Sequence, residues 1–213
     1  MVPSLFPNSD QEREIATAKR KMRDAMMNTR RATPHASMAS ASSSIARHYA
    51  DHPILSFCQS VAGYRAIRSE LDVTDMMEEA QRRNRTTCLP RVTAKDKPLR
   101  FHTWSRGMPL VRHALGMEEP EAANETILPD LVLVPLLAFD GDGYRLGYGA
   151  GFYDRTMAEL RVTEDVPPLF MGVGYNSQEV ERVPTDSHDE PLDGIITEQG
   201  ISMFNMMHPR VMV

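Results

Sequence analysis

DLVLVPLLAFDGDGYRLGYGAGFYDR, residues 130–155, carries a strand, a turn, a glycine-rich passage and a helix start in that order. Leu131–Pro135 is a continuous apolar run closed by proline, the pattern of a central strand buried in the core. Phe139-Asp140-Gly141-Asp142-Gly143-Tyr144 has the Asp/Gly chemistry of a tight turn. Arg145-Leu146-Gly147-Tyr148-Gly149-Ala150-Gly151 then runs into a helix expected over residues 151–160. Five of the twelve glycines fall between Gly141 and Gly151, a density that permits positive φ and close approach of a ligand to the backbone.

Working outward from this stretch, the texture alternates between strand and helix. Downstream, residues 169–173 read as a strand and 194–197 as a last short strand. Upstream, residues 56–64 read as a strand leading into a loop, 73–84 as an amphipathic helix, and 87–92 and 99–104 as strands. Residues 105–129, with two glycines and three prolines, read as mostly irregular connection. Two helices precede the first strand. One spans 11–31, with Ile15, Ala18, Met22, Ala25 and Met26 on one face, and Thr33-Pro34 ends it; the other spans 36–49. Strands alternating with helices predict an α/β fold, a layered and mainly parallel sheet flanked by helices, Rossmann-like and single-domain. Residues 1–10 are expected to be a loose tail and 11–213 the domain. Ligands in such folds sit beyond the carboxyl ends of the strands, which points to the segment directly after Leu131–Pro135.

The net charge of −5 argues against a general nucleic-acid binder, which would carry a strong basic excess. Two cysteines, Cys58 and Cys88, are too few for a disulfide framework and have no metal-ligand spacing; reduced core thiols and a cytoplasmic setting are expected. The longest apolar run, Leu131–Phe139, has nine residues, against about 20 needed to span a bilayer, so no membrane partner is expected. No targeting pattern opens the chain.

The glycine passage admits two readings. A helix start behind glycines offers N–H groups and a positive dipole end to phosphate, and Arg145 can add a bidentate anion contact. Alternatively it is a glycine-rich strand-to-helix connection. It is neither a Walker A loop nor the dinucleotide fingerprint, because no Gly-Lys-Ser/Thr follows and the spacing is G-x-G-x-G. DGDG lacks the later ligands of a calcium loop.

Taken whole, residues 130–155 closely resemble the signature of the 5-formyltetrahydrofolate cyclo-ligase family. KRKMR near the start, GYRAIRSELD, and VPTDSHDEPLDGIIT near the end occur in the family's order, so the resemblance covers roughly residues 13–200. It implies ATP-dependent cyclisation of 5-formyltetrahydrofolate, which can carry a polyglutamate tail, to 5,10-methenyltetrahydrofolate, with Mg²⁺ as cofactor. It further implies ATP contacts from Lys19, Arg23 and the run Arg145, Leu146, Gly147, Tyr148, Gly149, Ala150, Gly151, Phe152 and Tyr153. Folate contacts would come from Tyr64, Glu70, Tyr148, Gly149, Gly151 and Phe152. Asp154 and Asp189 would hold magnesium, and Arg145 and Asp154 would be catalytic.

Each assignment has a plainer alternative. Lys19 and Arg23, four apart, also suit a solvated basic helix face. Glu70 could cap the following helix, and Tyr64, Tyr148 and Phe152 could simply pack. Asp154 could be a first-turn acid paired with the helix dipole, and Asp189 a loop acid. Some family members carry lysine where this chain has Ala150, so one positive charge is absent from the pattern. A catalytically silent folate- or ATP-binding relative, or another ATP-dependent kinase or ligase, are the alternatives to the cyclo-ligase.

Overall fold

The protein is described by a computed structural model covering residues 9–114 and 116–212. Its helices are α1 (Ser9–Arg31), α2 (His35–Asp51), α3 (Thr74–Arg82) and α4 (Phe152–Thr163). The strands are β1 (Ser60–Ala62), β2 (Thr86–Val92), β3 (Leu99–Thr103), β4 (Leu110–Arg112), β5 (Glu118–Pro120) and β6 (Thr126–Ile127). They continue with β7 (Leu131–Pro135), β8 (Ala138–Phe139), β9 (Arg145–Leu146), β10 (Leu169–Val173), β11 (Gly194–Thr197) and β12 (Gly200–Met203).

Eight strands form one sheet in the order β12-β11-β10-β7-β1-β2-β3-β6. The five central strands, β11 through β2, run parallel; β12, β3 and β6 pair antiparallel at the edges. This is the expected helix-flanked, mainly parallel sheet. β7 shows why its sequence is apolar without alternation. Leu131 and Leu133 join the core of Ile45, Tyr49 and Met76, which α2 and α3 supply. Val132 and Val134 face the opposite core, with Met157 and Leu160 of α4. Both faces are covered, so each position must be hydrophobic.

Four elements depart from expectation. The strand at residues 56–64 shrinks to Ser60–Ala62, preceded by a 3₁₀ turn at Leu55–Phe57. At the strand's entry the backbone N–H groups of Gln59 and Ser60 donate to the Asp130 carboxylate (2.7 and 3.1 Å). The supposedly irregular 105–129 holds β4, β5 and β6, each too short for a readable period. Residues 194–197 are not the last strand: a two-residue connection, Glu198-Gln199, turns back into β12. That pair lacks the Asn-Gly or Asp-Gly chemistry that marks such turns in a sequence. Finally, α1 begins at Ser9, two residues before the expected start, with Asp10 and Glu12 in its first turn and Arg30 and Arg31 in its last, matching the dipole. The rest of the expected tail, residues 1–8, lies outside the described residues. Cys58 and Cys88 are both free and buried. No helix among the described residues is long and apolar enough to cross a membrane.

Candidate functional site

The chain leaves β1 for β2 on one side, and later places β7 on β1's other side, so the strand order reverses between β1 and β7. Loops beyond the carboxyl ends of two such strands diverge and leave a crevice. Here the crevice is a cavity of about 1240 Å³. The loop after β1, the end of β7, the glycine segment, α1 and the loop at 185–189 wall it. All fifteen candidate residues (Lys19, Arg23, Tyr64, Glu70, the run from Arg145 to Asp154, and Asp189) line this one cavity.

The glycine segment is held by the hairpin of β8 and β9. Its turn is fixed by Asp140, which is buried and accepts the backbone N–H groups of Asp142 (3.1 Å), Tyr144 (3.0 Å) and Val183 (2.8 Å). Beyond the hairpin, Gly149 (φ +100°) and Gly151 (φ +66°) adopt left-handed conformations that residues with a Cβ rarely hold. Gly151 starts α4, and no side chain caps that helix end. Arg23 reaches across from α1 and donates from Nε to the Gly147 carbonyl (2.8 Å).

The charged candidates come together in pairs. Arg145 donates from Nη2 to Asp154 Oδ1 (2.8 Å) and from Nη1 to the Glu190 carbonyl (2.6 Å). Burial pulls the Arg145 guanidinium down from its ordinary range, and the Asp154 charge opposes this. The expected bidentate anion contact is not seen: the guanidinium meets one carboxylate oxygen and one backbone carbonyl of the protein. Lys19 Nζ lies 2.6 Å from Asp186 Oδ2 and 2.5 Å from Asp189 Oδ2. Burial pulls the Lys19 ammonium down, but hydrogen bonds and charge from the two carboxylates outweigh it and raise it overall.

On the other side of the cavity, Glu70 is buried and accepts the Ile67 N–H through Oε2 (2.9 Å). Burial raises its carboxyl to about 7, against the lowering influence of that hydrogen bond and of the Arg30 and Arg68 charges. Asp72, not Glu70, receives the N–H and hydroxyl of Thr74 at the start of α3 (2.8 and 2.6 Å), which removes the capping reading of Glu70. Tyr64 donates its hydroxyl to the Leu71 carbonyl (2.6 Å). Tyr64 and Tyr153 are both raised, first by burial and next by the Glu70 charge, so these three groups share one neighbourhood.

Sequence reasoning missed four residues here. Arg30, in the last turn of α1, is buried and donates to the Leu136 carbonyl (3.0 Å), Ser69 Oγ (3.2 Å) and the Tyr148 hydroxyl. Its spacing, seven after Arg23, places it on the same helix face and was a usable signal. Arg68 lies 5.2 Å from the Tyr148 ring centroid and Arg30 5.6 Å, so two guanidinium groups hold that ring. Asp186 shares Lys19 with Asp189, and Arg155 lies on the cavity wall beside Gly151.

A parallel sheet with a polar, glycine-walled crevice at its switch point defines an α/β protein built around a small-molecule site. The model of the 5-formyltetrahydrofolate cyclo-ligase family matches residues 15–198. A 5-formyltetrahydrofolate cyclo-ligase of Haemophilus influenzae is 31% identical over 143 residues, 65% of this chain and 75% of that protein. One of Escherichia coli K12 is 30% identical over 154 residues, 68% and 81% of the two chains. The solved structure of Aquifex aeolicus 5,10-methenyltetrahydrofolate synthetase superposes with a TM-score of 0.75 at 28% identity, covering 87% of this chain and 92% of that one. The chain belongs to the 5-formyltetrahydrofolate cyclo-ligase family and is an enzyme of the ligase class.

Proposed function

We propose that this enzyme uses ATP and Mg²⁺ to cyclise 5-formyltetrahydrofolate to 5,10-methenyltetrahydrofolate, releasing ADP and phosphate. One observation carries the reading. A phosphate-suited wall of glycines and cations, and a buried carboxylate beside two tyrosines, face the same cavity of about 1240 Å³. The substrate's identity comes from the names of the relatives.

In the proposed reaction the N5-formyl oxygen attacks the γ-phosphorus of ATP; an O–P bond forms and the bond to the ADP oxygen breaks. The N10 lone pair then attacks the formyl carbon, N10 loses its proton, and the C–O bond breaks with departure of phosphate. No side chain becomes covalently attached, so the protein's work is positioning and charge stabilisation. Lys19, Arg23 and the segment Arg145–Tyr153 hold the triphosphate on this reading, with α4's uncapped N-terminus behind it. Glu70, an acceptor when ionised, takes pterin N–H donors while Tyr64, Tyr148 and Phe152 line the ring's flanks.

Asp154 and Asp189 supply the hard oxygen donors that magnesium favours. Among the described residues no three His, Cys, Asp or Glu gather into a metal cage, which suits an ion that completes its shell with phosphate and water. When bound, Mg²⁺ supplies charge neutralisation of the phosphate oxygens. Lys19 then serves to hold Asp189 and Asp186 in place beside it. A cytoplasmic setting accords with the two buried free thiols.

An absorbance assay for the methenyl chromophore, run with each component omitted in turn, tests this. Product that requires 5-formyltetrahydrofolate, ATP and Mg²⁺ together supports the reading. ATP hydrolysis indifferent to folate, or tight folate binding with no product, rejects it.

A further inference from the structure

The Arg155 side chain folds back over the start of its own helix. Its Nη2 donates to the Ala150 carbonyl (2.7 Å), and its Cζ lies 5.2 Å from the Phe152 ring centroid. A Cβ on Gly151 would stand 2.7 Å from its Nη1, so the guanidinium lies directly on the glycine backbone. Its Nε is buried and has no acceptor. No carboxylate pairs with Arg155 among the described residues, in contrast to Arg145 and Lys19. A cation over a helix N-terminus also opposes the dipole. Within the protein that placement is compensated only by the Ala150 carbonyl and the Phe152 ring, with no opposite charge.

Arg23 stands on the same segment in the same condition. Its Nε holds the Gly147 carbonyl, its Cζ is 3.4 Å from where a Cβ on Gly149 would be, and it too lacks a carboxylate among the described residues. The two guanidinium groups flank Gly147–Gly151 from opposite ends, each tethered to a backbone carbonyl. A guanidinium has five N–H donors, so each tether leaves several for another acceptor. Unpaired, oriented and facing one cavity, the pair fits an acceptor of high negative charge and several oxygens.

We propose that Arg155 closes a two-arginine clamp with Arg23 across the glycine segment, and that the clamp grips the polyphosphate of the nucleotide. This rests on the reading of the cavity as an ATP site, and deepens it by naming the residue that recognises the terminal phosphates. The left-handed φ of +66° favours glycine at 151, and the missing Cβ leaves the guanidinium room to rest on the backbone there.

Calorimetric titration of ATP, AMP and 5-formyltetrahydrofolate into the whole protein tests the clamp, using wild type, Arg155→Ala and Arg155→Lys. Loss of charge-assisted hydrogen bonds predicts an ATP affinity roughly 10- to 100-fold weaker in Arg155→Ala. AMP and folate affinities and the melting temperature should stay at wild-type values, and lysine should restore part of the ATP affinity. An ATP affinity within about twofold of wild type in Arg155→Ala overturns the clamp and leaves the cyclo-ligase reading standing. Equal weakening of ATP, AMP and folate also overturns it, because that marks a general loss of structure. A wild-type protein that binds no ATP at all overturns both.

Discussion

Glu70→Gln should remove one component of the pH dependence of stability near neutrality. Burial raises this carboxyl from 4.5 to about 7, so the folded protein holds its proton over a range in which the unfolded chain has lost it. For a group raised in this way the stabilisation is complete below the unfolded value and declines as pH rises through the folded one. The interval between 4.5 and about 7 corresponds to about 3 kcal/mol, because one pH unit is worth about 1.4 kcal/mol. Glutamine is close in shape, and its carbonyl oxygen can still accept the Ile67 N–H now bound at 2.9 Å. It lacks only the charge.

Thermal melts of both proteins at about pH 5 and about pH 8 provide the assay. Wild type should lose about 2.5 kcal/mol relative to the variant between the two, since part of the effect is already gone at about pH 5, a relative shift in melting temperature of about 5–10 °C for a chain of this size. Parallel pH profiles for the two proteins would refute the reasoning, since they would mean that Glu70 ionises without hindrance in its buried position. Folate binding supplies a second signature. Pterin N–H donors that meet this carboxylate favour its charged form, so binding near neutrality should release a proton. Calorimetry in two buffers of different ionisation enthalpy measures it, and the signal should vanish in Glu70→Gln.

Asp154→Ala should abolish turnover and also cost about 3 kcal/mol of stability, because it strands the buried Arg145 guanidinium; Arg145→Met/Asp154→Leu should regain stability in denaturant melts while remaining inactive. Gly149→Ala, at φ +100° and with Arg23 Cζ 3.4 Å from the new Cβ, should raise the KM for ATP about tenfold and leave folate affinity unchanged in steady-state assays. Asp140→Ala removes the acceptor of three backbone N–H groups at a buried turn and should lower stability by about 3 kcal/mol or more, read by chemical denaturation.

What the sequence made legible came from local pattern. Leu131–Pro135 is apolar throughout because both faces are covered, and Gly149 and Gly151 mark left-handed backbone that other residues hold only at a cost. The family likeness then selected the cavity's residues from segments far apart in the chain. Partnership was not legible. Lys19 meets Asp189 across a separation of 170 residues, and Arg30 meets Tyr148 across 118; nothing local in either residue names its partner. The Ser56–Tyr64 strand is shorter than its apolar texture suggests, because pairing with Thr86–Cys88 and not local pattern sets where the ladder begins. Glu70 is intermediate: its position was legible, but its raised pKa arises from burial that only the tertiary fold creates.

Burial sorts the basic groups on the cavity wall into two kinds. The Arg145 side chain is 4% exposed and Lys19's 11%, and each is matched by carboxylates at 2.8 Å or less. Those carboxylates neutralise the two cations within the protein. On the proposed reading each would divide its charge between those carboxylates and the phosphates, which leaves less for the nucleotide than a guanidinium with no carboxylate partner offers. Arg23 and Arg155 are only half-buried and rest on carbonyls, which orient a guanidinium without cancelling its charge. On the glycine segment a protein of net charge −5 thus presents two guanidinium groups, Arg23 and Arg155, whose charge no carboxylate among the described residues cancels. The division explains why removing Asp154 should harm the fold, while removing Arg155 should harm only the grip on the nucleotide.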